Sequence, residues 1–291
     1  MSDTAGFSDL TASAGNKAAG QRLDQAVAEL FNISRRRARR AIDEGGIYLN
    51  RKRCRTAGRI VKNADQLRLV MLEHEKLTPF DAAQLIWQQP PLYLINKRSG
   101  QYAQEALHRS RGTLPDELAR HLKLHPNDAD NLRPIHRLDR GTSGLMLFSS
   151  DPRQLNHIQA CWKQAASKRY LAVVEPAPEW DEQEIRLAID KKRDGNGRYH
   201  LHQAGRPCHS HARVLERAGN RALLEMIPYT GRTHQLRVHL SALGCPILGD
   251  TRYGGKQYQR LMLHASYLRL DPPALVTTAE WQAQPEENWQ W

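Results

Sequence analysis

The chain has little of what marks secreted and membrane proteins. Its 291 residues include four cysteines, which lie far apart with no Cys-x-x-Cys pair, so we expect reduced thiols and no disulfide framework. No run approaches the roughly 18 consecutive apolar residues of a membrane span. Residues 1–20 also lack the apolar core of a signal peptide. These absences predict a cytoplasmic protein without a membrane partner.

Two enzyme classes lack their signatures. Cys208, His209 and His211 suggest zinc, but the Pro-Cys-x-x-Cys element and His-x-Glu partner of base deaminases are missing. Ser143 lies in Gly-Thr-Ser-Gly, which is not the Gly-x-Ser-x-Gly of a hydrolase nucleophile elbow. We therefore expect no metal site and no serine hydrolase.

Positive charge is what the chain has in excess. The formal net charge is +12, and thirteen Lys and Arg residues lie between residues 21 and 70, against five acids. An excess of this size in a short segment indicates a polyanionic partner such as nucleic acid.

Most of this charge falls on one predicted helix and the turn after it. Ser34 is predicted to cap the helix, and Gly45-Gly46 to end it. The basic residues are Arg35, Arg36, Arg37, Arg39 and Arg40 on the helix, and Arg51, Lys52 and Arg53 in the turn. No acid separates the five arginines, so they repel one another unless a polyanion neutralises them. The alternative is a solvated charged face.

A carboxylate near the middle of the chain has arginine on both sides. Asp139 lies between Arg137 and Arg140, and the small residues 141–144 follow, where we expect room for a substrate beside the backbone. The apolar residues 145–148 predict a buried strand, which places Asp139 on a loop anchored to the core, a usual position for a catalytic group. The charge pattern alone fits a surface ion pair equally well.

Two later segments carry further candidates. Tyr170 lies in a predicted strand that begins at Lys168, and it is either an aromatic platform or an ordinary half-buried strand residue. Lys168 itself is available to a phosphate. Further on, Thr233 is predicted to cap a helix, which places Arg232 at the positive helix end, an anion site suited to a phosphate or to the Asp139 carboxylate.

These motifs occur together in one family. His136-Arg137-Leu138-Asp139, then Lys168 and Tyr170, then Gly231-Arg232-Thr233-His234-Gln235 follow one another at suitable spacing. In this order they resemble the RluA-type pseudouridine synthases. The segment 20–71 resembles the alpha-L RNA-binding domain of the ribosomal protein S-four type, which many members carry in front. The chain departs from the family at Arg98-Ser99, where members commonly have proline.

The resemblance implies a fold and a domain order. The expected class is α+β, with a mixed, mainly antiparallel sheet, flanking helices and a central catalytic cleft, preceded by a small α/β RNA-binding domain. The predicted parts are a flexible N-terminus (1–19), the RNA-binding domain (20–71), a linker (72–84), the catalytic domain (85–275) and a C-terminal tail (276–291).

The resemblance also implies roles for individual residues. Asp139 would be the catalytic aspartate, Tyr170 the aromatic that stacks on the base and assists proton transfer, and Arg232 the arginine that pairs with Asp139 and helps open the RNA. The basic residues of the second helix and its turn would contact RNA, together with Arg137, Arg140 and Lys168. No cofactor is expected, because isomerisation of uridine involves no redox change.

The resemblance leaves two classes of RNA substrate and two catalytic routes open. We expect a uridine flipped out of structured RNA, with large-subunit ribosomal RNA the first choice and transfer RNA the second. Asp139 either attacks C1′ or removes the 2′ proton, and both routes stay open. We expect a monomer. The alternative function is a non-catalytic RNA-binding or ribosome-assembly factor on the same fold.

Overall fold

A computed structural model describes residues 7–72, 77–195, 197–286 and 289–291, and the chain divides into two compact units. The first unit comprises residues 1–80 and 104–124, and the second comprises 81–103 and 125–291. Segment 104–124, expected in the catalytic domain, thus groups with the first unit. Its backbone is bound there, since Ser110 donates its N–H to the carbonyl of Glu44 at 2.7 Å. Such contacts between distant residues leave no local sequence pattern.

The first unit combines a four-stranded antiparallel sheet, in the order β1-β4-β2-β3, with helices. Its elements are β1 (Phe7–Ser13), α1 (Leu23–Leu30), α2 (Arg35–Glu44), β2 (Ile47–Leu49), β3 (Lys52–Arg53), β4 (Gln66–Leu72) and α3 (Leu114–His121). Both predicted ends of α2 are confirmed. The Ser34 hydroxyl accepts the N–H of Arg37 at 3.3 Å, and Gly45 has a φ of 93°.

Within the segment 1–19, predicted to be flexible, residues 7–13 form a paired strand. All seven residues of β1 pair with β4, and Asp9 forms an ion pair with Arg68 at 2.7 Å. Main-chain hydrogen bonds hold this edge strand, and most of its side chains are exposed. Its sequence therefore shows little of the alternation of apolar and polar residues that identifies a strand. Of the predicted linker, residues 73–76 lie outside the described residues, and 82–84 form a short 3₁₀ helix capped by Asp81.

The second unit is built on a ten-stranded sheet. The strand order is β10-β11-β12-β9-β13-β8-β6-β5, with β14 on β13 and β7 on β8. The elements are β5 (Leu85–Gln89), β6 (Leu92–Lys97), α4 (Pro126–Asn131), β7 (Arg133–Pro134), β8 (Ser143–Ser149), α5 (Pro152–Ala165), β9 (Ala166–Val174), β10 (Glu182–Ile185), β11 (Ser210–Ala218), β12 (Arg221–Pro228), α6 (Gln235–Ala242), β13 (Leu263–Leu270) and β14 (Ala279–Gln282). Among the described pairs only β13 and β8 run parallel, which confirms a mixed, mainly antiparallel sheet. Strand β14 lies in the segment expected to be a tail.

Strand β8 lies in the core and anchors the loop that bears Asp139. All seven of its residues are buried. Gly144 in β8 has a φ of 116°, and a Cβ there would lie 2.3 Å from the carbonyl oxygen of Ala265 in β13. Only glycine therefore allows this close strand approach. Within the described ranges, no helix has the length and apolar character needed to cross a membrane.

Candidate active site

Asp139 lies at a cavity of about 320 Å³ in the second unit. The cavity is also lined by His234, Arg237 and Asp250. The Asp139 side chain is 25% exposed, and its Oδ2 accepts a hydrogen bond from Nη1 of Arg237 at 2.9 Å. The structure thus presents a carboxyl group that is partly open to solvent and held by one guanidinium.

Arg237 is itself held from behind by a second carboxylate. Its Nε and Nη2 donate to the two oxygens of Asp250 at 2.7 and 2.8 Å, and the Asp250 side chain is only 1% exposed. Burial alone would lower the pKa of Arg237, but the hydrogen-bonded Asp250 and the nearby Asp139 raise it above its usual value. Arg237 is therefore a permanent cation with fixed orientation, which a bidentate pair provides better than a point charge.

The expected pairing of Arg232 with Asp139 is wrong, because Arg237 occupies that place. Helix α6 begins at Gln235, and its N-cap is His234 at a φ of 58°, so the predicted Thr233 cap is also wrong. The Gln235 side chain orders the turn instead, accepting the N–H of Arg232 at 3.0 Å. The Nε of Arg232 is buried with no hydrogen-bond partner in the described part of the chain.

Lys97 binds the backbone of the loop that carries Asp139. It ends β6, is fully buried, and its Nζ donates to the carbonyl oxygens of Arg98, Arg140 and Thr142 at 3.1, 2.9 and 2.6 Å. Burial lowers the pKa of Lys97 to about 7, while the negative charge of Asp139 raises it. One side chain thereby fixes the backbone that directly follows the catalytic candidate.

Tyr170 lies in β9 with its side chain buried. Burial raises the pKa of its phenol above the usual value, and the negative charge of Asp139 raises it further. The group therefore stays protonated at neutral pH and is a neutral hydroxyl. Among the described residues that line the cavity beside Asp139, Tyr170 does not appear.

The small residues after Asp139 have different surroundings. Gly141 lines the cavity, whereas Thr142, Ser143 and Gly144 are buried. The expectation that all four provide room for a nucleotide is therefore wrong for the last three. Gly144 in particular is required by the packing of β8 against β13.

The arginines of α2 are partly organised by one acid. Asp24 is fully buried, and it accepts hydrogen bonds from the Nε atoms of Arg22, Arg35 and Arg39 at 3.2, 3.0 and 2.8 Å. Arg40 donates to Glu44 at 3.0 Å. All five predicted helix arginines are nevertheless exposed at the surface of α2.

The remaining predicted RNA contacts differ in exposure. Arg51, Lys52 and Arg137 are exposed. Arg53 is turned inward and donates to the carbonyl of Ala106 at 2.7 Å, so its role in the first unit is structural. Arg140 and Lys168 contact other side chains and backbone of the second unit.

Arg140 donates to the carbonyl of Gly100 at 3.0 Å, and its guanidinium lies 4.8 Å from the ring centre of Tyr102. Lys168 is half-buried with its Nζ 5.7 Å from the ring centre of Trp162, and burial lowers its pKa. Both cations therefore have neighbours within the fold in addition to any role toward RNA.

Sequence reasoning missed Arg237, Asp250 and Lys97 as site residues. Two signals were present. In the sequence, Arg237 follows an apolar residue inside a short predicted helix, and Asp250 follows a glycine, Gly249. The structure shows why glycine is required there, since Gly249 has a φ of 83° and lies close to the Arg260 carbonyl. Neither signal identifies a partner. In the residues that the structure describes, no cluster of three or more His, Cys, Asp or Glu side chains is arranged to hold a metal.

Comparison with known proteins gives matches along most of the chain. A family described as RNA pseudouridylate synthase matches residues 91–242, and an S4 domain matches residues 21–67. Ribosomal large subunit pseudouridine synthase C of Vibrio cholerae is 30% identical, covering 93% of this chain and 91% of the relative. Ribosomal large subunit pseudouridine synthase D of Escherichia coli K12 is 28% identical, covering 94% and 90%.

A solved structure matches the same family. The human RNA pseudouridylate synthase domain containing 1 protein is 26% identical, with a TM-score of 0.59, over 71% of this chain and 86% of that one.

Proposed function

The chain belongs to the RNA pseudouridylate synthase family, and from that premise we propose that it converts uridines of large-subunit ribosomal RNA to pseudouridine, with Asp139 as the reactive carboxylate. The observation that carries the catalytic assignment is the Oδ2 of Asp139 held at 2.9 Å by Arg237 on the wall of the cavity. The names of the two bacterial relatives support the choice of RNA. Transfer RNA is the second candidate substrate.

The chemistry fits a single carboxylate. The reaction breaks the N1–C1′ bond and forms C5–C1′, while the proton on C5 is lost and N1 gains one, so nothing is oxidised or released. A glycosidase needs two acids because it must activate water or protonate a departing group. Here the base is retained. Asp139 either attacks C1′ or takes the 2′ proton, and either step needs an ionised oxygen.

The two oxygens of Asp139 differ in their contacts. Within the described residues, its hydrogen bond from Arg237 and its close approach to His234 both involve Oδ2. We therefore assign Oδ1 to the substrate. Arg237 orients the acid before the RNA arrives, which is the preorganisation that electrostatic catalysis requires.

The target uridine must leave its helix, because C1′ and C5 are unreachable in a stacked duplex. We assign Tyr170 to the flipped base and Arg232 to the RNA beside it. The exposed arginines of α2 bind RNA phosphates, in keeping with the S4 match. The monomeric state and the cytoplasmic location stay predictions, which light scattering and cell fractionation test.

The experiment compares Asp139→Asn with Asp128→Asn, a matched change of an exposed acid in α4 of the same unit. RNA from cells that lack the gene is treated with each purified protein, and pseudouridines are mapped across total RNA. The wild type and Asp128→Asn should restore the same sites, and Asp139→Asn should restore none.

Full restoration by Asp139→Asn would remove the catalytic assignment. A wild-type protein that binds RNA with a steep salt dependence but forms no pseudouridine would support the non-catalytic alternative. Because the map covers all RNA, it also separates ribosomal from transfer RNA as the substrate.

A further inference from the structure

His234 lies between Asp139 and a tyrosine, in a position that the proposed reaction does not yet use. Its Nε2 is 3.6 Å from Oδ2 of Asp139, and its Nδ1 is 2.7 Å from the hydroxyl of Tyr253. The residue has a φ of 58°, which few side chains adopt without strain. A strained backbone beside a reactive group motivates a search for a role.

The hydrogen bonds of Tyr253 determine which ring nitrogen of His234 carries the proton. The Tyr253 hydroxyl oxygen accepts the backbone N–H of Tyr199 at 3.0 Å. In the described part of the chain, Nδ1 of His234 is the acceptor that remains for the single hydroxyl proton. With the hydroxyl donating to Nδ1, the proton of the neutral ring lies on Nε2, the nitrogen 3.6 Å from Oδ2 of Asp139.

The ring is neutral at physiological pH and cannot easily turn. Burial lowers the pKa of His234 to about 4. Of the charged groups that face it, Asp139 and Asp250 raise this pKa, and Arg237 and Arg252 lower it. The side chain is only 10% exposed.

Two aromatic rings hold the imidazole in place. Tyr199 and Tyr253 both contact it edge-on, with ring centres 5.7 and 5.5 Å from that of His234. Rotation of the imidazole would have to displace one of them.

We propose that His234 is a positioning residue for Asp139, kept in the Nε2–H form by Tyr253, and that its N–H binds Oδ2 alongside Arg237. This rests on the proposed function of Asp139. The present 3.6 Å separation needs a shift of roughly 0.6 Å to reach hydrogen-bond length, and catalytic hydrogen bonds often tighten when substrate binds.

A neutral donor suits this place better than a second cation. The charge on Asp139 falls during the reaction, whether it attacks C1′ or takes the 2′ proton. Each additional full positive charge would stabilise the ionised acid and oppose that step, whereas a neutral N–H orients the oxygen with less effect on its basicity.

The kinetic test uses His234→Asn, which suits the positive φ but does not reach Asp139 with a donor, and His234→Gln, whose amide N–H can replace Nε2–H. The single-turnover rate with a target RNA should fall on the order of tenfold to a hundredfold in His234→Asn, with RNA affinity unchanged, and should recover in part in His234→Gln. His125→Asn, a change of an exposed histidine, is the control.

Tyr253→Phe provides a second variant with a smaller change. Alone it should lower the rate about twofold to tenfold, because the tautomer is no longer fixed. Combined with His234→Asn it should add nothing. A separate loss of rate in the double variant would mean that the two side chains act independently, and the proposal would be wrong.

The protonation of the two ring nitrogens of His234 can be measured by NMR without an activity assay. In protein labelled with ¹⁵N-histidine, the His234 signals, identified by their loss in His234→Gln, should show a protonated Nε2 and an unprotonated Nδ1 at pH 7. The opposite tautomer would overturn the proposal even if His234→Asn failed to fold.

Asp139→Asn, measured in parallel, separates the two possible failures. If Asp139→Asn is inactive while His234→Asn equals the wild type, only the role of His234 is lost. If Asp139→Asn is active, the proposed catalytic role of Asp139 is wrong, and the role of His234, which rests on it, is wrong as well.

Discussion

Arg237 connects the exposed acid Asp139 to the buried acid Asp250, and its removal gives the sharpest test of the site. Arg237→Met keeps most of the side-chain volume but removes three hydrogen bonds and a charge. It leaves the carboxylate of Asp250, 1% exposed, without its cation. Removing one partner of a buried ion pair typically costs about 3–5 kcal/mol of stability. We expect a loss in that range, together with loss of pseudouridine formation.

The loss of stability can be read from the second unit alone. All six tryptophans, at positions 87, 162, 180, 281, 289 and 291, lie in that unit, so urea unfolding followed by tryptophan fluorescence reports on it specifically. The double variant Arg237→Met/Asp250→Asn separates the two roles of Arg237. This double variant should recover much of the stability, because the buried carboxylate of Asp250 is gone. It should recover no activity, because Asp139 still lacks its hydrogen bond from Arg237. A loss below about 1 kcal/mol in the single variant would refute the reasoning.

Three further predictions concern individual buried residues. Lys97→Met should lower the stability of the second unit by about 2 kcal/mol or more and slow catalysis, since three backbone carbonyls lose the buried Lys97 ammonium as their donor. Unchanged urea unfolding and turnover would contradict this. Gly144→Ala should cost roughly 2–5 kcal/mol in the same assay, because the new Cβ meets the backbone of Ala265 at 2.3 Å, whereas Gly195→Ala, with open space around it, should be near neutral. Asp24→Asn should destabilise the first unit by about 2 kcal/mol at neutral pH. Three arginines hold the pKa of Asp24 at about 2 against the opposing effect of burial, so this acid stabilises the fold above pH 4 and the advantage is lost as the pH falls toward 2. Circular dichroism of both proteins from pH 6 to 2 should show the gap narrowing, and a constant gap would be inconsistent with this origin.

Local signals in the sequence were reliable where the physics is local. The cap at Ser34 and the helix end at Gly45 were predicted from a few neighbouring residues, and both are confirmed. The cap at Thr233 failed because a competing local interaction, the Gln235 side chain on the N–H of Arg232, orders that turn and moves the helix start. A capping residue is a preference of the chain and can be overridden by a better hydrogen bond nearby.

Strand pairing at the two chain ends was not predictable. Strands β1 and β14 join sheets through main-chain hydrogen bonds to β4 and β13, and such bonds can be formed by almost any side-chain sequence. Their short, half-exposed sequences carry little apolar alternation. A flexible terminus and a paired edge strand therefore look alike until the partner strand is known.

The amino-acid sequence by itself determined the family, the basic helix and the acid most suited to the proposed chemistry, because motifs and charge patterns are properties of neighbouring residues. Only the tertiary structure decided which arginine binds Asp139. Arg232 and Arg237 are equally available in the sequence, and the choice depends on where α6 begins and on Asp250 behind it. The proton position on His234 depends on the same packing, because Tyr199 and Tyr253 meet it from distant parts of the chain.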